Sequence, residues 1–368
     1  MEFGLTDEQK MLEASFRGYL GANLPMERRR AIATAGTGHD GDLWQGLVEQ
    51  GIAGLLVPER HGGSGLGILD AAVIAETLGY HAVPGAYAAS LVMAPLALRA
   101  SATEAQQQAW LPRIAAGEVR IAVGFAGASG QTGTANVTLE AHRLSGRLTG
   151  VLDGGGATHL LAYLPDGRAA VVALDAAGAT PSLVQSLDRT RPLLDVTFDG
   201  AAATVLDAAN DALAARTRVQ DAGRVMLAAD TLGAAQAMLD QAVAYAKERQ
   251  QFGRVIGSFQ GVKHVLADQA TALEPCRSLV WFAAHAQDLG PNENAAPDEA
   301  RLAALQAKAH LDDTAREVAR HTTEVHGGMG FTDLLGLHYW WKRIETNRQL
   351  LGSPERCRHE AARLQGWV

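Results

Sequence analysis

Cysteine is nearly absent from this chain. Only 2 occur in 368 residues, Cys276 and Cys357, far apart and without CxxC spacing, which excludes a disulfide framework and a thiolate zinc site and leaves two reduced thiols, both expected in helices. Long hydrophobic runs are missing too. No stretch approaches the ~18 consecutive apolar residues of a membrane span, and Met1 to Thr6 lacks a charged segment leading into an apolar one, so neither insertion nor secretion is expected and the setting is read as cytoplasmic. Positive charge is short and scattered: the net charge is -8 with a pI near 5.8, and phosphate backbones need clustered Lys and Arg, so nucleic acid is not an expected partner. His61, His264, His310 and His338 match no metal-ligand spacing, and no metal is expected.

What is present is enough apolar residue, 47% of the chain, to fill a sizeable core over two or three domains. Residues 1–118 read as α-helical. Thr6 and Gln9 can form a capping box, followed by Leu5, Met11, Leu12, Phe16, Tyr19 and Leu20 at helical spacing. The Pro- and Gly-rich break Val57-Pro58-Glu59-Arg60-His61-Gly62-Gly63-Ser64-Gly65 then precedes an apolar helix over 68–78. Residues 119–207 change to β character: Val137 and Leu139 alternate with polar neighbours, residues 160–163 and 170–174 flank the turn Pro165-Asp166-Gly167 as a hairpin, and residues 193–200 read as a strand ending in a turn. Gly154 to Gly156 lack the Lys and strand-helix context of a phosphate loop and read as a turn. Residues 208–368 return to helices, with stripes at Leu232, Ala235, Leu239, Val243, Ala246 and at Val262, Leu266, Gln269, Leu273, Cys276, suited to a four-helix bundle.

Two glycine-bearing segments carry the functional signal. Arg249-Gln250-Gln251-Phe252-Gly253 puts a guanidinium fork at a helix end, where it can hold phosphate oxygens, beside an aromatic ring that can lie against a planar group. On these grounds alone a capped turn is the commoner reading. His326-Gly327-Gly328-Met329-Gly330-Phe331 places three glycines in four positions after a helix, permitting positive φ and close approach of backbone N–H groups to a ligand. In this order and separation the two segments resemble the signature of the acyl-CoA dehydrogenase family of flavoproteins. The resemblance runs nearly end to end, from Leu5-Thr6-Asp7-Glu8-Gln9 through Val57 to Gly63 and on to Trp341-Lys342-Arg343.

That resemblance implies a mainly α fold with a central β domain: an N-terminal α domain, a middle β-barrel-like domain and a C-terminal four-helix bundle. It also implies FAD as cofactor, an acyl-CoA substrate and an electron-transfer flavoprotein as acceptor. In the family the two segments reach across an interface to FAD seated mainly on the neighbouring subunit. The carry-over assigns Arg249 to the pyrophosphate, Phe252 to the adenine side, and Gly327, Gly328 and Gly330 to the adenosine moiety, with Gln251 a further FAD contact. Glu324 stands where the family usually has Gln, and a carboxylate cannot donate a hydrogen bond.

The family's reaction removes a proton α to a thioester while hydride leaves the β carbon for the flavin, so a positioned carboxylate is needed as base. Counting from Arg343 puts Gly352 at the usual base position. The alternative position used by some members falls on Gly223. Neither has a side chain. Of the nearby carboxylates Asp221, Asp230 and Glu345, Asp230 is the weak candidate, two helical turns beyond Gly223. The flavin-ring stretch also departs from the family, reading Val123 to Gly130 where a Thr-Glu-Pro sequence is usual. The pattern resembles the non-catalytic subunit of heteromeric α2β2 acyl-CoA dehydrogenases of sterol-degrading bacteria, whose partner, a second acyl-CoA dehydrogenase-like subunit, carries the Glu. A homotetramer with Asp230 as relocated base and a flavin-free scaffold are the alternatives.

Overall fold

The computed structural model describes residues 4–85, 87–126, 136–289 and 298–368. The first part is helical: α1 (Asp7–Asn23), α2 (Met26–Ala35), α3 (Gly41–Glu49), α4 (Ile68–Tyr80), α5 (Ala94–Ser101) and α6 (Glu104–Ala115), with a π-helical turn at Ala88–Met93. The expected capping box opens α1: Gln9 N donates to Thr6 Oγ1 at 3.2 Å and Thr6 N to Gln9 Oε1 at 3.0 Å. Each bond satisfies an amide that the first helical turn would otherwise orphan. Phe16 and Leu20 of the α1 stripe are buried, while Met11 is turned out to solvent.

Two four-stranded sheets follow. One has the order β1 (Ile121–Phe125), β4 (His159–Tyr163), β5 (Ala169–Ala173), β8 (Thr204–Leu206), and the other β2 (Asn136–Glu140), β3 (Arg143–Val151), β7 (Leu194–Ala202), β6 (Ala179–Leu183). The β4–β5 pair is the expected hairpin. The first sheet is buried on both faces. Ala122, Leu160 and Val172 face the second sheet, while Ile121, Val123, Phe125, Leu161 and Tyr163 face the helices. That double burial explains why β1 reads as an unbroken apolar run instead of an alternation. The strand expected to end at Gly200 continues to Ala202; Gly200, at φ 65, marks where the pairing with β3 shifts register, so its left-handed backbone makes a bulge and not a turn. Of the Val123 to Gly130 stretch, residues 127–130 lie outside the described residues. Gly154 to Gly156 form the expected turn, packed so tightly that a Cβ on Gly155 would lie 2.7 Å from the Thr37 carbonyl oxygen.

The remainder is a helical bundle: α7 (Ala212–Glu248), then a small hairpin of β9 (Gln250–Gln251) and β10 (Arg254–Val255), α8 (Gln260–Leu289), α9 (Glu299–His326), α10 (His338–Gln349) and α11 (Pro354–Leu364). Three long helices form its body; α10 packs on α7 and α9, and α11 on α9. Helix α7 is ~55 Å long at 1.5 Å per residue and crosses α4 with nothing between the backbones. A Cβ on Gly79 would sit 1.9 Å from the Asp230 carbonyl oxygen, and one on Gly233 1.8 Å from that of Glu76. Both glycines let α4 lie directly against the bundle.

His81 caps α4, and its carbonyl accepts from Arg29 Nε at 3.0 Å and Nη2 at 2.7 Å. Burial, reinforced by the Arg29 and Arg17 charges, pushes its imidazole pKa down to about 4. The unfolded chain therefore takes up a proton near pH 6.5 that the folded chain refuses, so the contribution is fully present above pH 6.5 and is lost as pH falls towards 4. Urea unfolding at pH 7 and pH 5 is expected to lose about 1 kcal/mol less for His81→Gln than for the parent, allowing for the group's partial exposure. Equal losses would remove His81 from the acid response.

Among the described residues no helix is long and apolar enough to cross a membrane, and no group of three His, Cys, Asp or Glu is placed to hold a metal ion.

Candidate functional site

Two regions answer to the sequence-derived site residues, one exposed and one buried. The exposed region lies where α7 and α9 both end. Tyr245, one turn before Arg249, rests its ring 4.7 Å from that of His326, and this contact brings the Arg249 hairpin and the glycine segment to the same end of the bundle. Arg249 is the C-cap of α7, and among the described residues its guanidinium has neither a hydrogen bond nor an ion pair. Phe252 and Gly253 form the two-residue hairpin turn, both with positive φ, 54 and 78. Glycine accepts that conformation freely. A bulky residue held there costs on the order of 1 kcal/mol, yet Phe252 is 91% exposed, its ring edge-on to that of Phe259 at 6.1 Å. A strained backbone that presents a ring to solvent gives the chain no packing return of its own.

The glycine segment divides in the same way. Gly327 adopts φ 59, ψ -142, a conformation that only glycine takes readily. Gly330 is close-packed, since a Cβ there would lie 2.6 Å from the Thr323 carbonyl oxygen. Gly328 answers neither need: its φ is not positive and an added Cβ would meet nothing within 4 Å. Its backbone is open to something outside the chain. Of the other assigned contacts, exposed Gln251 donates to the Gln250 carbonyl at 2.8 Å, and Glu324 accepts from Arg320 at 3.4 Å and pairs with His321 at 3.2 Å. Glu324 thus faces Arg320 and His321 of its own helix.

The buried region is where the base positions fall, and of the two only Gly223 is packed over, while Gly352 lies against Arg356 and Arg224 of a surface pocket of about 490 Å3. A Cβ on Gly223 would lie 2.7 Å from Leu351 Cδ1 and 2.9 Å from Met93 Cε and Sδ. Gly352, at φ 114, would point a Cβ towards Cys357 Sγ at 3.3 Å and the Arg224 guanidinium at 4.0 Å. The side chain standing over Gly223 is therefore that of Leu351, an apolar neighbour that sequence counting did not single out. The cavity nearby holds about 20 Å3, room for one water, between Leu55, Ile74, Leu78, Tyr87, Leu91 and Met226, with Arg191 and Asp230 at its polar side.

Asp230 is locked in a buried ionic network. Its Oδ1 accepts from Arg343 Nη1 at 3.0 Å and its Oδ2 from Asn347 Nδ2 at 2.6 Å, with Arg191 Nη1 at 3.5 Å. Arg343 also donates to Asp188 Oδ2 and Thr190 Oγ1 at 2.6 Å, and to the Val83 carbonyl at 3.0 Å. Arg191 donates to Asp153 Oδ1 at 2.7 Å, and Asp153 Oδ2 accepts from Ala89 N at 2.8 Å. Burial would lower the Arg343 pKa, but Asp188 and Asp230 more than offset this and hold it above the ordinary value. The other two carboxylates weighed as bases are paired as well, Asp221 with Arg224 at 2.6 Å and Glu345 with Arg316 at 3.3 Å. Burial lifts Asp221 to about 6 against the pull of Arg224. No sequence signal marks this network, because its members lie in all three regions of the chain.

Comparison with known proteins gives the family and the fold. The family models "Acyl-CoA dehydrogenase, N-terminal domain" and "Acyl-CoA dehydrogenase, C-terminal domain" match residues 6–118 and 214–364. Acyl-CoA dehydrogenase IpdE2 of Mycobacterium tuberculosis is 30% identical over 95% of this chain and 94% of its own length. Among solved structures, a chain of the Tcur3481-Tcur3483 steroid ACAD superposes with a TM-score of 0.85 at 29% identity over 98% of both chains. A chain of the ChsE4-ChsE5 complex from Mycobacterium tuberculosis does so with a TM-score of 0.87 at 25% identity over 100% of both.

Proposed function

Because the chain belongs to the acyl-CoA dehydrogenase family, oxidoreductases acting on the CH–CH bond of acyl-CoA thioesters, we propose that it serves as the subunit that lends contacts to FAD held by a partner, and does not itself carry out desaturation. One observation carries this reading: the alternative base position, Gly223, is packed over by Leu351 and Met93, while Arg249, Phe252, Gly327 and Gly328 face outwards. The nucleotide end of FAD suits the exposed region, where Arg249 offers a fork to the pyrophosphate, Phe252 a ring to the adenine side, and Gly327 and Gly328 an approachable backbone to the adenosine, with Gly330 buried against Thr323 behind the segment's exposed part.

FAD supplies the hydride acceptor of the family's reaction. The residues of this chain bind and orient its tail; the carboxylate that takes the α proton belongs to the second acyl-CoA dehydrogenase-like subunit. The substrate is a CoA thioester, with a steroid side chain favoured by the likeness to the steroid ACAD structure, and an electron-transfer flavoprotein takes the electrons. Asp230 is not favoured as a base, since both its oxygens are held by Arg343, Asn347 and Arg191.

Purification alone and with the partner tests this. The chain alone is expected to carry no FAD and show no acyl-CoA dehydrogenation, and the complex to hold one FAD for each copy of this chain. Arg249→Ala should lower FAD retention by the complex at least about tenfold, the loss of a charge-assisted contact, without changing its assembly. FAD held by the chain alone and bleached by acyl-CoA would overturn the reading. A flavin-free complex indifferent to Arg249→Ala would favour a scaffold instead.

A further inference from the structure

Beyond the glycine segment, residues 332–337 lead back to α10, and this short strap runs against α2. Two side chains one turn apart on α2 meet it there. Arg30 Nη2 donates to the Asp333 carbonyl at 2.7 Å, and Arg30 Nε lies 2.9 Å from Asp333 Oδ2. Met26 covers Gly336, where the backbone has φ 69 and an added Cβ would lie 2.6 Å from the Met26 Sδ and Cε. Helix α2 is itself pinned. The neighbouring Arg29, 4% exposed, donates to the His81 carbonyl, and its guanidinium lies over the Trp340 ring of α10 at 4.8 Å. A fixed helix therefore grips the strap at both an aspartate and a glycine.

Asp333 stands two positions after Phe331, the last residue of the glycine segment, so the point at which it is held limits how far the exposed backbone of Gly327 and Gly328 can move. His338 Nε2 also comes within 3.5 Å of Asp333 Oδ1. Burial, and after it the Lys342 charge, holds the His338 pKa below its ordinary value, so at pH 7 the imidazole is neutral and Arg30 supplies the charge opposite Asp333. With side chains 33% and 63% exposed, this ion pair adds little to the stability of the fold. What it fixes is position. One guanidinium holds the carbonyl and the carboxylate of a single residue together, a two-point contact that an ammonium does not reproduce. Resting on the reading of the glycine segment as a contact for the FAD adenosine, we propose that Arg30 is a positioning residue for that contact, acting through Asp333. The N-terminal helical region then takes part in FAD recognition without touching the cofactor.

Amide hydrogen exchange of the full chain without flavin, and FAD retention by the complex with its partner, test the two halves of the proposal separately. Arg30→Met and Asp333→Asn should each speed exchange over residues 327–336 at least about threefold, leaving α7 and the unfolding midpoint unchanged. Each should also lower FAD retention at least about threefold, and the double variant no further than either single one, because both remove the same contact. Arg30→Lys, which keeps the charge and loses the fork, should fall between. Arg249→Ala is the control for the underlying reading. If it leaves retention unchanged, the subunit reading fails and this proposal with it, whereas loss of FAD in Arg249→Ala but not in Arg30→Met or Asp333→Asn overturns the positioning role alone. Additive losses in the double variant, or exchange unaltered in either single one, would overturn it as well.

Discussion

Replacing Arg343 by methionine is expected to cost about 3–5 kcal/mol, as removal of one partner from a buried ion pair does. That is a large part of the ~5–15 kcal/mol that holds a typical domain together. The cost does not come from lost attraction alone. Arg343 and Asp188 are each 1% exposed, and without the guanidinium Asp188, half of Asp230, the Thr190 hydroxyl and the Val83 carbonyl all lose a partner far from water. Those four acceptors come from the segment after α4, the loop before β7, and α7. A single side chain thus ties the first helical region and the β sheets to the bundle. Arg343→Lys keeps the charge but not the fork, since an ammonium on a shorter reach cannot serve four acceptors in these directions, and roughly half the loss should persist. Urea unfolding followed by both far-ultraviolet circular dichroism and Trp fluorescence measures this. A midpoint for Arg343→Met within about 1 kcal/mol of the parent would mean that the network does not fasten these regions.

Placing a carboxylate at Gly223, where the family resemblance implies an alternative base position, is expected to damage the protein and not to activate it. Gly223→Glu would place an ionisable group among the side chains of Leu351 and Met93. Both obstructing groups are flexible ends that can swing aside, so the steric cost is modest, and a glycine in a helix interior is otherwise ~1 kcal/mol worse than alanine. The charge dominates. Arg224, the next residue, is committed to Leu351, Asp221 and Glu360, leaving a new carboxylate no free donor nearby. An uncompensated buried charge costs about 3–5 kcal/mol, or the group stays protonated and cannot act as a base. Gly223→Ala should be nearly neutral, which separates the effect of charge from that of volume. The measurements are thermal unfolding of both variants and flavin bleaching by acyl-CoA without the partner. A Glu variant as stable as the Ala variant, and able to bleach flavin, would show that the interior is an idle active site and not a closed one.

What could be read from the chain was whatever is decided by neighbours a few residues apart. The Thr6 and Gln9 cap closes over three residues, the Pro165 to Gly167 turn sets the β4–β5 hairpin, and the α7 and α8 stripes repeat every turn; in each case backbone geometry alone brings the partners together. The Arg249 and Gly327 segments were legible for the same reason, since a guanidinium at a helix end and a positive-φ glycine are set by local conformation. Tertiary packing decided the rest. Nothing in the sequence places Leu351 over Gly223, 128 positions away, or joins Asp153, Asp188 and Arg191 to Arg343. The five arginines of the surface pocket are scattered through an acidic chain from 216 to 363 and meet only because α7, α9 and α11 come together there. Side-chain contacts between distant helices depend on how those helices cross. Crossing is set by many close approaches at once, such as Gly79 and Gly233 between α4 and α7, and no single stretch of sequence contains that information.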